Sequence, residues 1–234
     1  MGSGRQGPKS YSVAAGKPGG AMRKVVGVFG VLAAMAGVEH GVGEILQGPV
    51  APDGPVFRSW PGNEAFEVLD GEPALTVIPN LLASGIASVL VAALLGAWAV
   101  TGMRRRHGPL LLAGLSLLLL AVGGGFGPPL LGLILAAGAS RLGFPARSPG
   151  AISHSLAAVY PWAFGAGLLG YLGLVPGTVV LQAVWGPPAE AVVYGLMMLA
   201  FGGVILTLAA ARARCRIEAW QKVVPLPPRY GTAA

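Results

Sequence analysis

Residues 110–139 read LLLAGLSLLLLAVGGGFGPPLLGLILAAGA, with no charged side chain. The length is that of one long membrane helix, but the middle is not, because Gly123, Gly124, Gly125, Phe126, Gly127, Pro128 and Pro129 follow one another. In a helix interior each glycine costs about 1 kcal/mol and each proline about 3 kcal/mol. Proline also lacks the N–H that the helical ladder needs. The stretch is therefore either one kinked helix or two short arms that turn back on each other.

Charge separates the two. Of the 16 Lys and Arg residues, five precede residue 25, three stand at Arg104–Arg106, two (Arg141 and Arg147) follow this block, and five follow residue 211. Such residues collect on the cytoplasmic side of membrane proteins. One crossing would leave Arg141, Arg147 and the basic C-terminal segment outside. A reversal at 123–129 puts every basic cluster inside, leaving only an acidic insert and a loop through Trp185 outside. The sequence thus predicts a hairpin with arms at about 110–126 and 129–144, and both termini in the cytoplasm.

Composition supports the membrane class. The chain of 234 residues is 54% hydrophobic and 11% charged, with a mean hydropathy of +0.68. Soluble domains carry about 25% charged residues, and disordered chains are poor in the aliphatics that dominate here. The 38 Gly and 20 Pro follow no G-X-Y period, so collagen is excluded. A single cysteine, Cys215, rules out an intramolecular disulfide framework and a cysteine-based zinc knuckle. A net charge of +7 would suit nucleic acid in a soluble protein. Here the bases flank apolar segments and no recognition module accompanies them, so no nucleic-acid partner is expected. The expected fold is an all-α, polytopic integral membrane bundle of five to six hydrophobic segments, with the lipid bilayer as its main partner. The Gly/Ala/Pro-rich usage is that of a GC-rich bacterial genome, which places the chain in the cytoplasmic (inner) membrane.

The remaining segments follow from the same reading. Residues 1–24 are basic and aperiodic and are expected to be a disordered cytoplasmic tail. A first span covers about 25–46. Ala34-Met35-Ala36 fits a signal-peptide cleavage pattern, but the apolar run continues past it, so a span is preferred. Residues 48–76 form an external insert with five acids (Asp53, Glu64, Glu67, Asp70, Glu72) against one base, Arg58. Its prolines forbid a long helix but allow a short interfacial turn around Trp60 and Phe66. Further spans are expected at about 78–101, 152–175 and 189–211, followed by a basic cytoplasmic tail at 212–234. Tyr160-Pro161 is read as a kink. No solenoid period or inverted repeat is visible.

Ionisable groups are costly in hydrocarbon, so those within spans are the first candidates for function. The first span carries Glu39, His40 and Glu44. His40 and Glu44 are four residues apart on one helical face, close enough to share a hydrogen bond or an ion. Glu39 stands about 100° around the helix from His40. Counted from Val25 at about 1.5 Å per residue, the group lies about 21–28 Å along, in the outer leaflet. Asn80, Glu190 and the broken backbone of Gly123, Gly124, Gly125, Gly127, Pro128 and Pro129 fall at the same level. Together they outline an outward-facing pocket, since irregular backbone at membrane depth is tolerated where it lines a cavity.

Plainer readings stand beside this one. Glu and His near a span end also reach interfacial water, and Glu190 in a first helical turn complements the helix dipole. Gly37 and Gly41 make a small-xxx-small face for a neighbouring helix. His154 with Ser153 and Ser155 lacks a nucleophile elbow, and Gly123–Gly127 lacks the Lys-Ser/Thr of a phosphate loop. Arg104–Arg106 anchors topology. One His and two carboxylates suit zinc or iron, yet no HExxH or ExxH pair is present, so no metal or cofactor is assigned. The expected activity is that of a small transporter or permease-like protein for a small solute or cation. The alternatives are a membrane-embedded, metal-dependent enzyme and an accessory subunit docking into a homo-oligomer or larger complex.

Overall fold

Small residues bring the helices together. In a computed structural model of the chain, residues 19–140 and 149–223 are described, and they are mostly helical. Four helical stretches, Gly20–Gln47, Leu81–Arg104, Ala151–Trp185 and Glu190–Gln221, are long and apolar enough to cross a membrane. The first, α1 (Gly20–Gln47), packs along α2 (Leu81–Thr101). Gly30 faces Ala99, Gly37 faces Ala92, and Gly41 meets Gly85. A Cβ on Gly41 would stand 2.8 Å from the Gly85 carbonyl oxygen, so the two backbones touch where glycine faces glycine. Ser88 Oγ donates to Gly37 O across this seam (3.2 Å). Phe29, Leu95, Leu112, Leu119, Leu131 and Leu135 are fully buried and fill the core that α1 and α2 share with the next pair.

That pair is α3 (Gly108–Ala121) and α4 (Gly127–Ser140), helices too short to reach across a hydrocarbon core of about 30 Å at about 1.5 Å per residue. The helix expected to run to 126 stops at Ala121, because Gly123 and Gly125 adopt φ of 102° and 71°. Only glycine takes such angles without strain. The chain then folds back, and Gly132 of α4 packs against Ser116 of α3. Pro128 and Pro129 fall in the first turn of α4, where no N–H is needed, so the arm expected from 129 begins at Gly127. Residues 141–144 of that arm, with Arg141 and Arg147, lie outside the described residues.

Other boundaries also move. The tail expected over residues 1–24 gives way to helix at Gly20, because Met22, Val25 and Val26 are buried together on one face; residues 1–18 lie outside the described residues. Asn80, expected to open a span beginning at about 78, stands just before α2 and caps it: its side-chain oxygen accepts from Ala83 N (3.0 Å). The span expected to end at 175 continues. After α5 (Ala151–Leu172), a turn of π-helix at Gly173–Gly177 absorbs Pro176 and leads into α6 (Thr178–Trp185). The final helix, α7 (Glu190–Val223), runs past the expected end at 211 through Arg212, Arg214 and Arg216. Arg212 donates to the carbonyls of Ala137 (3.1 Å) and Gly138 (3.0 Å) at the end of α4, and Arg214 stacks over Tyr160. These contacts give the last turns a surface to lie on; residues 224–234 lie outside the described residues.

The insert is folded. Strands β1 (Val56–Arg58) and β2 (Pro73–Leu75) pair antiparallel, and a 3₁₀ turn at Glu64–Leu69 lets Phe66 stack on Trp60, with ring centroids 5.3 Å apart. Leu81 N donates to Val50 O (2.8 Å) and Val77 N to Ala121 O (2.9 Å), which fastens the insert over the ends of α1, α2 and α3. Charge follows this arrangement. Five acids lie in the insert at one end, whereas Arg104–Arg106 and the Arg212–Arg216 group lie at the other, beside the start of α1.

Candidate functional site

Helical spacing puts Ala36, Glu39 and His40 on one face of α1, turned towards α4, α5 and α7. They line a cavity of about 240 Å³ with Phe126, Tyr171 and Phe201 among its other walls. The roof is the insert, which contributes Glu72. His40 Nε2 stands 3.4 Å from Glu72 Oε2, and His40 Nδ1 is 3.0 Å from Ser59 Oγ. The Glu39 carboxyl lies beside Glu72 and the Trp60 indole. Donor atoms of Glu39, His40 and Glu72 all fall within 4.8 Å of one another.

A left-handed turn delivers Glu72. Asp70, Gly71 and Glu72 have φ of 51°, 69° and 54°, and two of the three are not glycine. Such angles cost a non-glycine residue about 1–2 kcal/mol and persist only where surrounding structure holds them. Here Ser59 N donates to Glu72 O (3.1 Å) and Trp60 N to Gly71 O (2.9 Å). The same two residues thereby present the Ser59 hydroxyl and the Trp60 ring to α1. Arg58 pairs with Asp70 at the exposed rim.

The Gly123–Gly125 turn packs against α1 at His40 and Glu44. A Cβ on Gly125 would collide with the His40 ring, and one on Gly123 with the Glu44 carboxylate. Gly124 faces Leu119 instead, while Gly127 and Pro128 line the cavity and Pro129 is buried behind it. His40 and Glu44 share a helical face but not a site. His40 is turned to Ser59 and Glu72, whereas Glu44 is enclosed by Gly123 and Ser84. Ser84 Oγ is already committed to Thr76 Oγ1 (2.7 Å) and Val122 O (2.9 Å), and neither Glu44 oxygen has a hydrogen-bond partner.

Two other expected pocket residues stand elsewhere. Asn80 is occupied as the cap of α2, and Glu190 is exposed in the first turn of α7. Glu72, Ser59 and Tyr171 are the members that sequence reasoning missed. Glu72 was one of five similar acids in a Pro-rich segment, and Tyr171 one aromatic in an apolar helix. Only Asp70-Gly71 hinted at a tight turn before Glu72.

Chemically, the arrangement offers one imidazole nitrogen and two carboxylates in the wall of an otherwise largely apolar cavity. It can hold a cation, or it can pass a proton between His40 and Glu72. The chain matches no known protein family, no curated protein and no solved structure.

Proposed function

We propose that this chain is a polytopic protein of a bacterial cytoplasmic membrane that takes a small cationic solute into the cavity beneath its 48–76 insert, in the manner of a small transporter or permease. In this reading the acidic insert faces outward, both termini face the cytoplasm, and α3 and α4 form a half-depth hairpin entering from the basic side. The observation that carries it is the meeting of Glu39 and His40 of α1 with Glu72 of the insert at one cavity. Ionisable side chains within membrane spans mark solute and ion pathways. The separation of acidic and basic ends supports the orientation.

The test is uptake into proteoliposomes holding the purified full-length chain. Cation-dependent flux that falls at least about tenfold in Glu39→Gln and Glu72→Gln, and persists in Glu190→Gln, supports the reading. Absence of flux for every cation tried removes it.

A second reading, a membrane-embedded metal-dependent enzyme, is favoured by Tyr171, whose side chain lines the same cavity beside the carboxylates. Substrate turnover without flux selects it. The accessory-subunit reading draws on the exposed apolar faces of α5 and α7, and co-purification of a defined partner with neither activity selects it.

A further inference from the structure

We infer that Glu39, His40 and Glu72 form a three-ligand site for a divalent transition-metal ion whose remaining coordination position opens into the cavity. The inference rests on the reading of this cavity as a cation pocket and names the class of cation.

Geometry is the first argument. Four donors placed about 2.1 Å from a metal at tetrahedral angles stand about 3.4 Å apart, and His40 Nε2 and Glu72 Oε2 are 3.4 Å apart. A charge-assisted hydrogen bond would draw the same pair to about 2.7–2.9 Å. The donor atoms of all three residues lie within 4.8 Å of one another, so one ion can engage them after small side-chain adjustments.

Orientation is the second. Ser59 Oγ engages His40 Nδ1, which fixes the ring and leaves Nε2 turned towards the carboxylates. Metal-bound histidines are held through their second nitrogen in this way. The Gly125 backbone packs against the Nε2 edge of the ring, where only the absence of a side chain leaves Nε2 space for a ligand.

Charge is the third. Glu39 Oε1 is buried with no hydrogen-bond partner, and the buried Glu72 Oε2 has only its 3.4 Å contact with His40 Nε2. Burying unpaired carboxylate oxygens is expensive unless they are neutralised or coordinate a metal. With both carboxyls deprotonated on binding and the imidazole neutral, the ligands carry a charge of −2, which one divalent ion cancels. Mixed imidazole and carboxylate donors suit zinc, iron, manganese or cobalt rather than calcium or magnesium, whose sites are built of oxygens alone. Two ligands come from α1 and one from the insert, so the ion also pins the insert to the bundle.

The experiment is titration of the full-length chain, purified in detergent and stripped with chelator, with Co²⁺ followed by its visible absorption. The expected result is one Co²⁺ per chain, displaced by Zn²⁺. Affinity should fall at least about tenfold in His40→Ala and Glu72→Gln, and about tenfold or more in Ser59→Ala, which removes the orienting partner. Glu67→Gln and Glu190→Gln, outside the cluster, should bind like the parent. Because His40 is buried and its removal can unfold the bundle, Glu72→Gln on the insert is the deciding variant, with thermal unfolding as the check of its fold. Failure of the folded parent to bind Co²⁺ or Zn²⁺ stoichiometrically overturns the inference. So does a folded Glu72→Gln chain that binds as tightly as the parent. Metal binding without flux leaves the site standing and removes the transport reading. Flux of an organic cation in a chain that binds no metal does the reverse.

Discussion

The helical stretches Gly20–Gln47 and Ala151–Trp185 have the same mean hydropathy, 1.7, yet 61% of the apolar window is buried in the first and 22% in the second. Hydropathy therefore says that each segment avoids water and nothing about what each touches. In a membrane, lipid and protein interior would be equally oily, so apolar surface would not select the core of such a bundle. What differs is the spacing of small and polar residues. Along α1, Gly30, Gly37 and Gly41 each face a side chain or backbone of α2, His40 and Glu44 occupy the adjoining sector, and Glu39 lies further round the helix. Along α5 the close contacts are confined to one stripe, where Gly167 meets Gly203 and Gly170 meets Ala200 of α7. The rest of this pair displays large apolar side chains, with Trp162 81%, Trp185 78% and Met198 75% exposed.

The contrast can be broken by substitution. The largest effect is expected from Gly41→Leu or Gly85→Leu, where a side chain would push into opposing backbone. Overpacking costs about 1–3 kcal/mol and more where nothing can yield. Recovery of monodisperse protein in detergent should fall sharply, while Gly165→Leu on α5 and Gly202→Leu on α7, which meet nothing nearby, should leave recovery and unfolding temperature unchanged. Equal damage from all four would mean that the two regions are not packed differently. Next comes Gly125→Ala, which combines a φ of 71° with a collision against the His40 ring. Strain of this kind costs about 1–3 kcal/mol, measurable as a lowered unfolding temperature; an unchanged one would mean that the turn does not press on the site. The smallest effect is expected from Trp162→Ala, within about 0.5 kcal/mol in detergent. A large loss there would place a protein surface, rather than lipid or detergent, against α5.

Legibility followed the same division. Glycine and proline at 123–129 announced a break because their effect on φ and on backbone donors is local. The break itself lies at Gly123–Gly125, and the prolines that seemed part of it start α4. Arg212–Arg216 looked like a terminus because charge ends a span, but α7 continues along the end of α4, which only packing could supply. The first half of the site was legible too, since Glu39 and His40 are unusual in an apolar helix. Its other half was not. Glu72 resembles the acids around it, and its placement depends on a left-handed turn held by Ser59 and Trp60. Helical spacing allowed His40 to pair with Glu44, yet shared spacing sets only a common face. The neighbours on that face differ from turn to turn, here the insert and Gly125 at His40, and Gly123 with Ser84 at Glu44.

Sequence alone determined that the chain is helical, that its long segments are apolar enough to cross a membrane, and where acidic and basic residues separate, because hydropathy, helix propensity and charge act residue by residue. The tertiary structure alone decided which of these equally apolar helices is central, which acid of the insert reaches His40, and where Glu44 ends up. Those outcomes depend on contacts between residues far apart in the chain, where a missing Cβ or a left-handed turn fixes which surfaces can meet.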